Sequence, residues 1–311
     1  MPAANRYTTT EFIDSCERVG HIPVSQSPFR PADILAIADQ QLQTGILRQI
    51  LSTRENFYLT YKDNDVNATG IYNIPPRAIG GALADIQLVV SGVIQPVVRS
   101  EIHEQFSTNS SPNGVYSFYI KGNQIVIVPY PTVGTVRLWY YQRPNNLVAT
   151  SECSQITAIS SGTLTVDQTS TTDISTSTPC DLIKDQPFFD TLTTDITPSS
   201  VSATQIVFSS SDVPTTLAVG DWVARAGQSP IIQIPVEFYP LLVQRVVVKY
   251  YEIQGYLDKM KAAQMKLEEM EKDTFLLINP RVVEAPKTIS PSADLIGGFS
   301  NWRRWLVSSS T

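Results

Sequence analysis

The stretch GVYSFYIKGNQIVIVPYP (residues 114–131) alternates apolar and polar residues on both sides of a Gly-Asn pair. A Gly-Asn pair between two such runs is typical of the turn in an antiparallel hairpin. The next stretch, TVRLWYYQRP (residues 135–144), keeps the same period and places Val136, Leu138 and Tyr140 on one face. The sequence therefore predicts a hairpin followed by a further strand, with these three side chains facing a common core.

Downstream of these strands the composition changes sharply. Residues 148–218 are dominated by Ser and Thr, with short strand-like pieces such as GTLTVDQ and ATQIVFS and no helix signal. The stretch DWVARAGQSPIIQIP (residues 221–235) closes this part of the chain. We predict a β-rich region over residues 111–235, with a Ser/Thr-rich insertion at about 148–218 that faces solvent.

Helical periodicity predominates on either side of the β-rich region. Residues 32–58 follow Pro31, which suits a first helical turn, and carry one apolar stripe at intervals of three and four: Leu35, Ala38, Leu42, Ile46 and Ile50. The segment 79–90 shows a similar repeat at Ile79, Leu83, Ile86 and Val90. The longest helix signal covers about residues 236–278, which as one helix would span roughly 60 Å.

These patterns predict an α+β fold. Residues 1–110 and 236–280 are expected to form a helical bundle core with a long C-terminal helix, into which the β-rich domain is inserted. The proline-punctuated residues 281–311 have no clear period and are expected to form an extended C-terminal arm.

The charge and cysteine content exclude several classes of protein. The formal net charge is −6 and no run of Lys and Arg occurs, so binding to DNA through neutralised phosphates is not expected. Cys16, Cys153 and Cys180 are too few and too scattered for a disulfide framework or a zinc site. The first residues lack a secretion signal, and no apolar run has the length of a membrane span.

No pattern typical of an active site occurs in the chain. His21 and His103 lie outside any ligand motif, and nucleophile elbows, dinucleotide loops and phosphate loops are missing from the sequence. Four carboxylates cluster late in the last helix, at Glu268, Glu269, Glu271 and Asp273. A charged run on a polar helix face is usually just solvated, so we expect no enzyme, no cofactor and no metal.

Four segments follow one another along the chain: IPPRAIGGALADIQLV, then FYIKGNQIVIVPYP with LWYYQRPNNLV, then IPVEFYPLLVQRVVVKYYEIQGYLDKM, and an arm that starts INPR. Their order resembles the head–tail connector (adaptor) proteins of tailed bacteriophages, which dock under the portal. The resemblance covers most of the chain as an arrangement of segments, although the β insertion exceeds that of compact helical adaptors.

The resemblance implies a structural virion protein of the neck or tail, assembled in the host cytoplasm. It implies a homo-oligomeric ring of roughly twelve copies that binds the portal protein and the next tail or neck protein. DNA would pass as non-specific cargo, and a membrane would not be involved. An acidic lining repels phosphates, which makes Glu268, Glu269, Glu271 and Asp273 candidates for the channel wall.

The arm holds the candidate portal-docking residues, because Trp and Arg are enriched among interface anchors. The candidates are Leu295, Ile296, Phe299, Trp302, Arg303, Arg304, Trp305 and Leu306. Two other interpretations stay open: the arm folds back on its own domain, or it forms a helix on a membrane surface.

Two other functions compete with the connector. The protein would be a tail or fibre component if the β-rich domain bound a carbohydrate or receptor, although residues 148–218 hold few aromatic side chains. A lytic tail hydrolase is disfavoured because the sequence shows no acid or metal constellation.

Overall fold

The computed structural model describes residues 7–22, 29–54, 56–100, 116–168, 174–185 and 190–278. Strands dominate the described chain and are arranged in two seven-stranded sheets and one two-stranded sheet. The helices pack against one another beside the strands, with a core of their own.

The first sheet contains the predicted hairpin and the strand that follows it. Its order is β1-β7-β3-β4-β5-β6-β2, and its edge strands β1 and β2 are joined directly by residues 66–70. The sheet therefore curls towards a closed barrel. Val136, Leu138 and Tyr140 are buried inside it, as predicted. The strands are β1 Leu59–Asp65, β2 Ile71–Asn73, β3 Ala78–Val90, β4 Val93–Arg99, β5 Tyr116–Lys121, β6 Gln124–Val128 and β7 Thr135–Gln142.

The helix predicted for residues 79–90 is wrong, because this segment is strand β3. Gly80 and Gly81 both have φ of +64°, which a right-handed helix cannot accommodate, and the pairing of β3 with β7 shifts register across them. Beyond this irregularity Ile86 and Leu88 alternate into the sheet core. The apolar positions fit both periods, and pairing with neighbouring strands decides between them.

The second sheet is built from the Ser/Thr-rich part of the chain and has the order β12-β11-β15-β9-β10-β14-β13. Its core contains Ile156, Leu164, Leu182, Ile206 and Val223. A small parallel pair, β8 with β16, connects it to the rest of the molecule. The strands are β8 Asn146–Leu147, β9 Ser154–Ser160, β10 Thr163–Val166, β11 Cys180–Ile183, β12 Thr191–Ile196, β13 Ser200–Val201, β14 Gln205–Val207, β15 Trp222–Arg225 and β16 Gln228–Ser229.

The N-terminal helices begin with caps that the sequence encodes. Helix α1 (Thr9–Gly20) starts where the Thr8 side chain accepts a hydrogen bond from the Glu11 N–H, a Thr-x-x-Glu pattern typical of a helix start. Helix α2 (Pro31–Gln41) has Pro31 in its first turn, as predicted. A π-helical turn (Leu42–Ile46) carries it into α3 (Leu47–Thr53).

The single long helix predicted for residues 236–278 is two helices. A short 3₁₀ turn (Val236–Phe238) leads into α4 (Tyr239–Ile253), and α5 (Leu257–Ile278) returns along it. The break lies at Gly255, whose φ of +73° ends a helix without steric cost to a side chain. Gln244 Nε2 in α4 donates to the Ala263 carbonyl in α5 and ties the two helices together at 2.9 Å.

The predicted fold class, a helical bundle with one inserted β domain, is therefore wrong. Strands β1–β4 already lie within the first hundred residues, and the sheets form the larger part of the described structure. The domain boundaries stay a prediction, and the arm at residues 281–311 lies outside the described residues.

Candidate functional site

The candidate portal-docking residues, Leu295 to Leu306, all lie outside the described residues. The structure therefore places none of them. Among the candidate sites from the sequence, the acidic residues of α5 are the ones that it positions.

The four carboxylates of α5 divide into two groups. Glu268, Glu269 and Asp273 are exposed to solvent, whereas Glu271 is half-buried against the neighbouring helices. Glu271 Oε1 accepts hydrogen bonds from Arg245 of α4 and from Gln49 Nε2 of α3, the latter at 3.3 Å. Glu271 thus joins three helices, and the exposed acidic surface is smaller than the sequence suggests.

Charge is segregated along α5. Its first half carries Lys259, Lys261 and Lys266 against the single acid Asp258, and its second half carries the four carboxylates with Lys272. A separate stripe with helical spacing faces inward and orients the helix, since Ala263 and Thr274 are buried and Leu267 and Met270 pack on the helical core. The acidic half is the half nearer to the arm.

A glycine in the π-helical turn makes room for the ion pair of Glu271. A Cβ on Gly45 would lie 1.9 Å from Arg245 Nη1, so only glycine lets the guanidinium rest there. Arg245 Nε and Gln49 Oε1 are buried without a hydrogen-bond partner among the described residues. The signal in the sequence was a glycine in mid-helix, but nothing there pointed to Arg245 as its partner.

A groove runs between α1, α4 and α5. It consists of two adjoining cavities of about 270 and 280 Å³, which share Val19, Gln244 and Lys266 in their walls. The cavity near Met270 has an almost entirely apolar wall, and Val19 is 41% exposed. The sequence contained no signal for this groove, because its walls come from segments more than two hundred residues apart.

A buried polar cluster joins the first sheet to the second. Asp181 of β11 is fully buried and accepts hydrogen bonds from Arg77 Nη1 at 2.6 Å and Arg77 Nη2 at 3.0 Å. It also accepts from Asn145 Nδ2 and from the backbone N–H groups of Asp195 and Gly227. Burial lowers the pKa of Arg77, but the bonds and ion pairs with Asp181 and Asp195 outweigh this and raise it. Because Arg77, Asn145 and Asp181 lie far apart in the sequence, no sequence pattern indicated that they would form one cluster.

A half-buried carboxylate joins the helices to the strands. Asp39 of α2 accepts a hydrogen bond from the Leu147 N–H of β8 at 2.9 Å. Burial raises the pKa of Asp39 to about 6, and the bond from Leu147 opposes this shift only in part. Among the described residues Asp39 has no ion-pair partner, so its charge is poorly compensated at neutral pH.

An aromatic face covers the outside of the first sheet. Tyr61 and Trp139 are cross-strand partners with ring centroids 4.9 Å apart, and the Arg137 guanidinium lies 4.1 Å from the Tyr61 ring centre. Arg137 also binds Asp63 through two hydrogen bonds of 2.8 Å, and Trp139 Nε1 donates to Gln87. Tyr, Trp and Arg together are the side chains most enriched at protein interfaces.

A cleft of about 430 Å³ lies where the first sheet, the second sheet and the segment before α4 meet. Its walls include Tyr58, Arg143, Asp190 and Gln233. The Tyr58 hydroxyl donates to the Gln233 carbonyl, and Gln233 Nε2 donates to Thr191. These polar groups thus hydrogen-bond to one another, and their bonds hold the adjoining parts of the fold together.

In the described part of the chain, the side chains that could ligate a metal are not clustered. No group of three or more His, Cys, Asp or Glu side chains there is placed to hold a metal ion. Similarly, none of the described helices combines the length and apolar character needed to cross a membrane.

Residues 32–167 match the family model described as SU10 adaptor protein. The match begins in α2, covers the first sheet and ends after β10, and it spans less than half of the chain. No curated protein matches the chain. Over residues 32–167 the chain is therefore similar to a family of phage adaptors, which are virion-associated proteins, and this confirms the coarser part of the resemblance.

Proposed function

We propose that this protein is a structural head–tail connector of a tailed phage, which docks on the portal and extends the DNA channel. The observation that carries the proposal is the match of residues 32–167 to the SU10 adaptor protein family. An adaptor has to contact more than one partner. The chain has three candidate contact regions: the aromatic face of the first sheet, the acidic half of α5 and the C-terminal arm.

The proposed partners are the portal protein, the next tail or neck protein, and further copies of the chain in a ring of roughly twelve. The aromatic face of the first sheet supports a protein partner, because exposed Tyr61 and half-buried Trp139 and Arg137 are of the residue types that anchor interfaces. Assembly in the host cytoplasm, before incorporation into the virion neck, belongs to the same proposal.

Portal docking is assigned to the arm. Two tryptophans that flank two arginines, Trp302 to Trp305, form an anchor that would bury about 150–250 Å² for each indole ring. The start of the arm follows the acidic half of α5, so docking would hold that half near the portal.

The channel wall is assigned to Glu268, Glu269 and Asp273. Their exposure supports this role, because a lining carboxylate must face the passing phosphates to repel them. Glu271 was a fourth candidate, but its charge is already paired with Arg245, so we assign it to the packing of the helices.

We further propose that the protein has no enzymatic activity. The charged groups in the walls of the cleft are Arg143 and Asp190, and general acid–base chemistry on a glycosidic bond uses two carboxyl groups. The protein would then act through its contacts alone.

Portal binding by the purified full chain tests the proposal. The chain is mixed with isolated portal rings, and the complex is weighed by native mass spectrometry and imaged. We expect a ring of adaptor copies on the portal, and at least a tenfold loss of affinity when Trp302→Ala and Trp305→Ala are combined, since anchors contribute about 2 kcal/mol each.

The matched control is Tyr130→Ala, which removes an aromatic ring that is 54% exposed after β6, at a position to which no partner contact is assigned. This variant should bind portal as the native chain does. If the native chain does not bind the portal, or if it forms a stable trimer in solution, the connector proposal is wrong and a fibre component is favoured.

A further inference from the structure

The groove between α1, α4 and α5 is a partly apolar surface that the described residues leave open. Val243, Val247 and Tyr251 of α4 form its floor, Val19 of α1 one wall, and Met270 of α5 part of the other. Gln244 is the polar side chain in the floor, and its Nε2 already donates to the Ala263 carbonyl. The cavity near Met270 therefore favours an apolar occupant, whereas Lys259 and Lys266 make the adjoining cavity partly polar.

We infer that this groove is the docking site for residues 295–306 of the same chain in the free protein. The inference concerns the chain before it meets any partner, and it does not depend on the proposed binding to the portal. Four observations support this occupant: spacing, length, position and charge.

The spacing of the apolar residues suits a groove between helices. Leu295, Phe299, Trp302 and Leu306 follow one another at i, i+4, i+7 and i+11, which places them on one face of a helix. Helices that lie in grooves are recognised through anchors with this spacing. Gly297 and Gly298 make the segment a weak helix alone, so the groove would supply the missing stabilisation.

The lengths of groove and segment agree. The groove follows α4 from Tyr239 to Tyr251, which is about 18 Å at 1.5 Å per residue. A twelve-residue helix over residues 295–306 has nearly the same length, also about 18 Å. The matching face of such a helix would cover the groove from end to end.

The chain can reach the groove without strain. Helix α5 ends at Ile278, two turns beyond Met270 at one end of the groove. Sixteen residues separate Ile278 from Leu295, and at about 3.3 Å per residue they span up to roughly 50 Å. A tether of this length favours the chain's own groove over that of a second copy, because it raises the local concentration.

The charge at the rim fits the start of the segment, while Arg304 falls on the face opposite the apolar set, away from Lys259 and Lys266 of the groove. Lys266 lines both cavities and has no ion-pair partner among the described residues. Asp294 directly precedes the apolar set and is the nearest acid to it in the sequence. With the segment in the groove, Asp294 and Lys266 would lie at its edge, where opposite charges attract.

Hydrogen exchange on the full chain tests the inference, read by mass spectrometry on peptides that cover residues 295–306. In the native chain we expect these amides to exchange at least about tenfold more slowly than an unstructured peptide of the same sequence. Val19→Asp puts a charge into the groove wall and should abolish the protection. The control Val93→Asp makes the same change at a 62% exposed position on β4 and should leave it intact.

A reciprocal experiment covers the case in which Val19→Asp disturbs the fold. Ala262 is exposed in the groove wall, and Cys16, Cys153 and Cys180 are all buried, so Ala262→Cys provides one reactive thiol. Its reaction with a maleimide should be slow in the full chain. It should speed up about tenfold when Phe299→Ala and Trp302→Ala are added.

Three outcomes would overturn the inference. The first is unprotected amides over residues 295–306 in the native chain. The second is protection that survives Val19→Asp in a folded protein. The third is protection that grows with protein concentration, which would assign the groove to a second copy.

Discussion

Asp181, which is buried, and Asp39, which is half-buried, are two carboxylates that join parts of this molecule in different ways. Asp181 connects the two sheets and is held by a guanidinium, a side-chain amide and two backbone N–H groups. Asp39 connects α2 to β8 through one hydrogen bond from Leu147 and has no ion-pair partner among the described residues. A buried charge stabilises only when its partners replace the lost water, so the first joint should be strong at neutral pH and the second weak.

The largest effect is expected at the strong joint. Asp181→Ala leaves the Arg77 guanidinium and the Asn145 amide in the interior without their acceptor, which should lower the free energy of unfolding by about 3–5 kcal/mol. Chemical denaturation followed by circular dichroism measures this loss.

The control is Asp63→Ala, which breaks a bidentate pair with Arg137 on the outer face of the first sheet. Solvent can replace that interaction, so little change is expected. Equal losses in the two variants would contradict the distinction between a buried and an exposed pair.

The weak joint should respond in the opposite direction, and only above a certain pH. Asp39→Asn keeps an acceptor for the Leu147 N–H but cannot ionise. The folded pKa of about 6 lies above the ordinary value of 3.8, so stability falls as the pH rises from 4 to 6, because the carboxyl ionises more readily in the unfolded chain than in the native one. We expect the variant to be more stable by about 2 kcal/mol at pH 8 and unchanged below pH 4.

Thermal unfolding of both proteins at pH 4 and pH 8 checks this sign. Asp14→Asn, an exposed acid on α1, is the matched control and should show no such pH-dependent gain. If Asp39→Asn gained the same stability at both pH values, the gain would come from packing and not from the loss of a charge. The contrast between Asp39 and Asp181 would then not be one of charge compensation.

The smallest effect extends the comparison to the helices. Gly45→Ala should gain up to 1 kcal/mol of helix propensity, but its Cβ displaces the Arg245 guanidinium from Glu271. We expect the free energy of unfolding to fall by about 1 kcal/mol, because displacing Arg245 weakens a partly exposed ion pair that contributes only moderately to stability.

Repeating the substitution in an Arg245→Met background isolates the cause. With the guanidinium gone, Gly45→Ala should become neutral or stabilising, and denaturation midpoints of the four proteins give the coupling. A loss that persists in this background would place the strain in the π-helical turn itself.

The sequence predicted local structure where period and turn chemistry agreed. Val136, Leu138 and Tyr140 alternate beside a Gly-Asn turn, and the structure buries all three. Pro31 and the stripe from Leu35 to Ile50 likewise predicted α2 and α3. These signals depend on neighbours along the chain, which is why they could be interpreted without the fold.

The same reasoning failed where the apolar residues fitted two periods. Ile79, Leu83, Ile86 and Val90 satisfy a helical repeat, but pairing with β7 and the left-handed glycines make the segment a strand. The joints at Asp181 and Asp39 and the groove at Val19 were beyond prediction, because each depends on residues that only the tertiary fold brings together. Among the candidate channel residues, Glu271 is paired with Arg245, and this pairing could not be predicted from the sequence.

The turn at Gly255 has a mechanical consequence. One unbroken helix over residues 236–278 would be a lever of roughly 60 Å, attached to the body at one end and easily deflected at the other. Folded into α4 and α5, the same residues form a braced strut of about 33 Å, in which Gln244 ties the first half of α5 and Glu271 the second half to adjacent helices. A force applied where α5 ends, at Ile278, therefore reaches α4 and α3 through these two ties and is shared by the helical core.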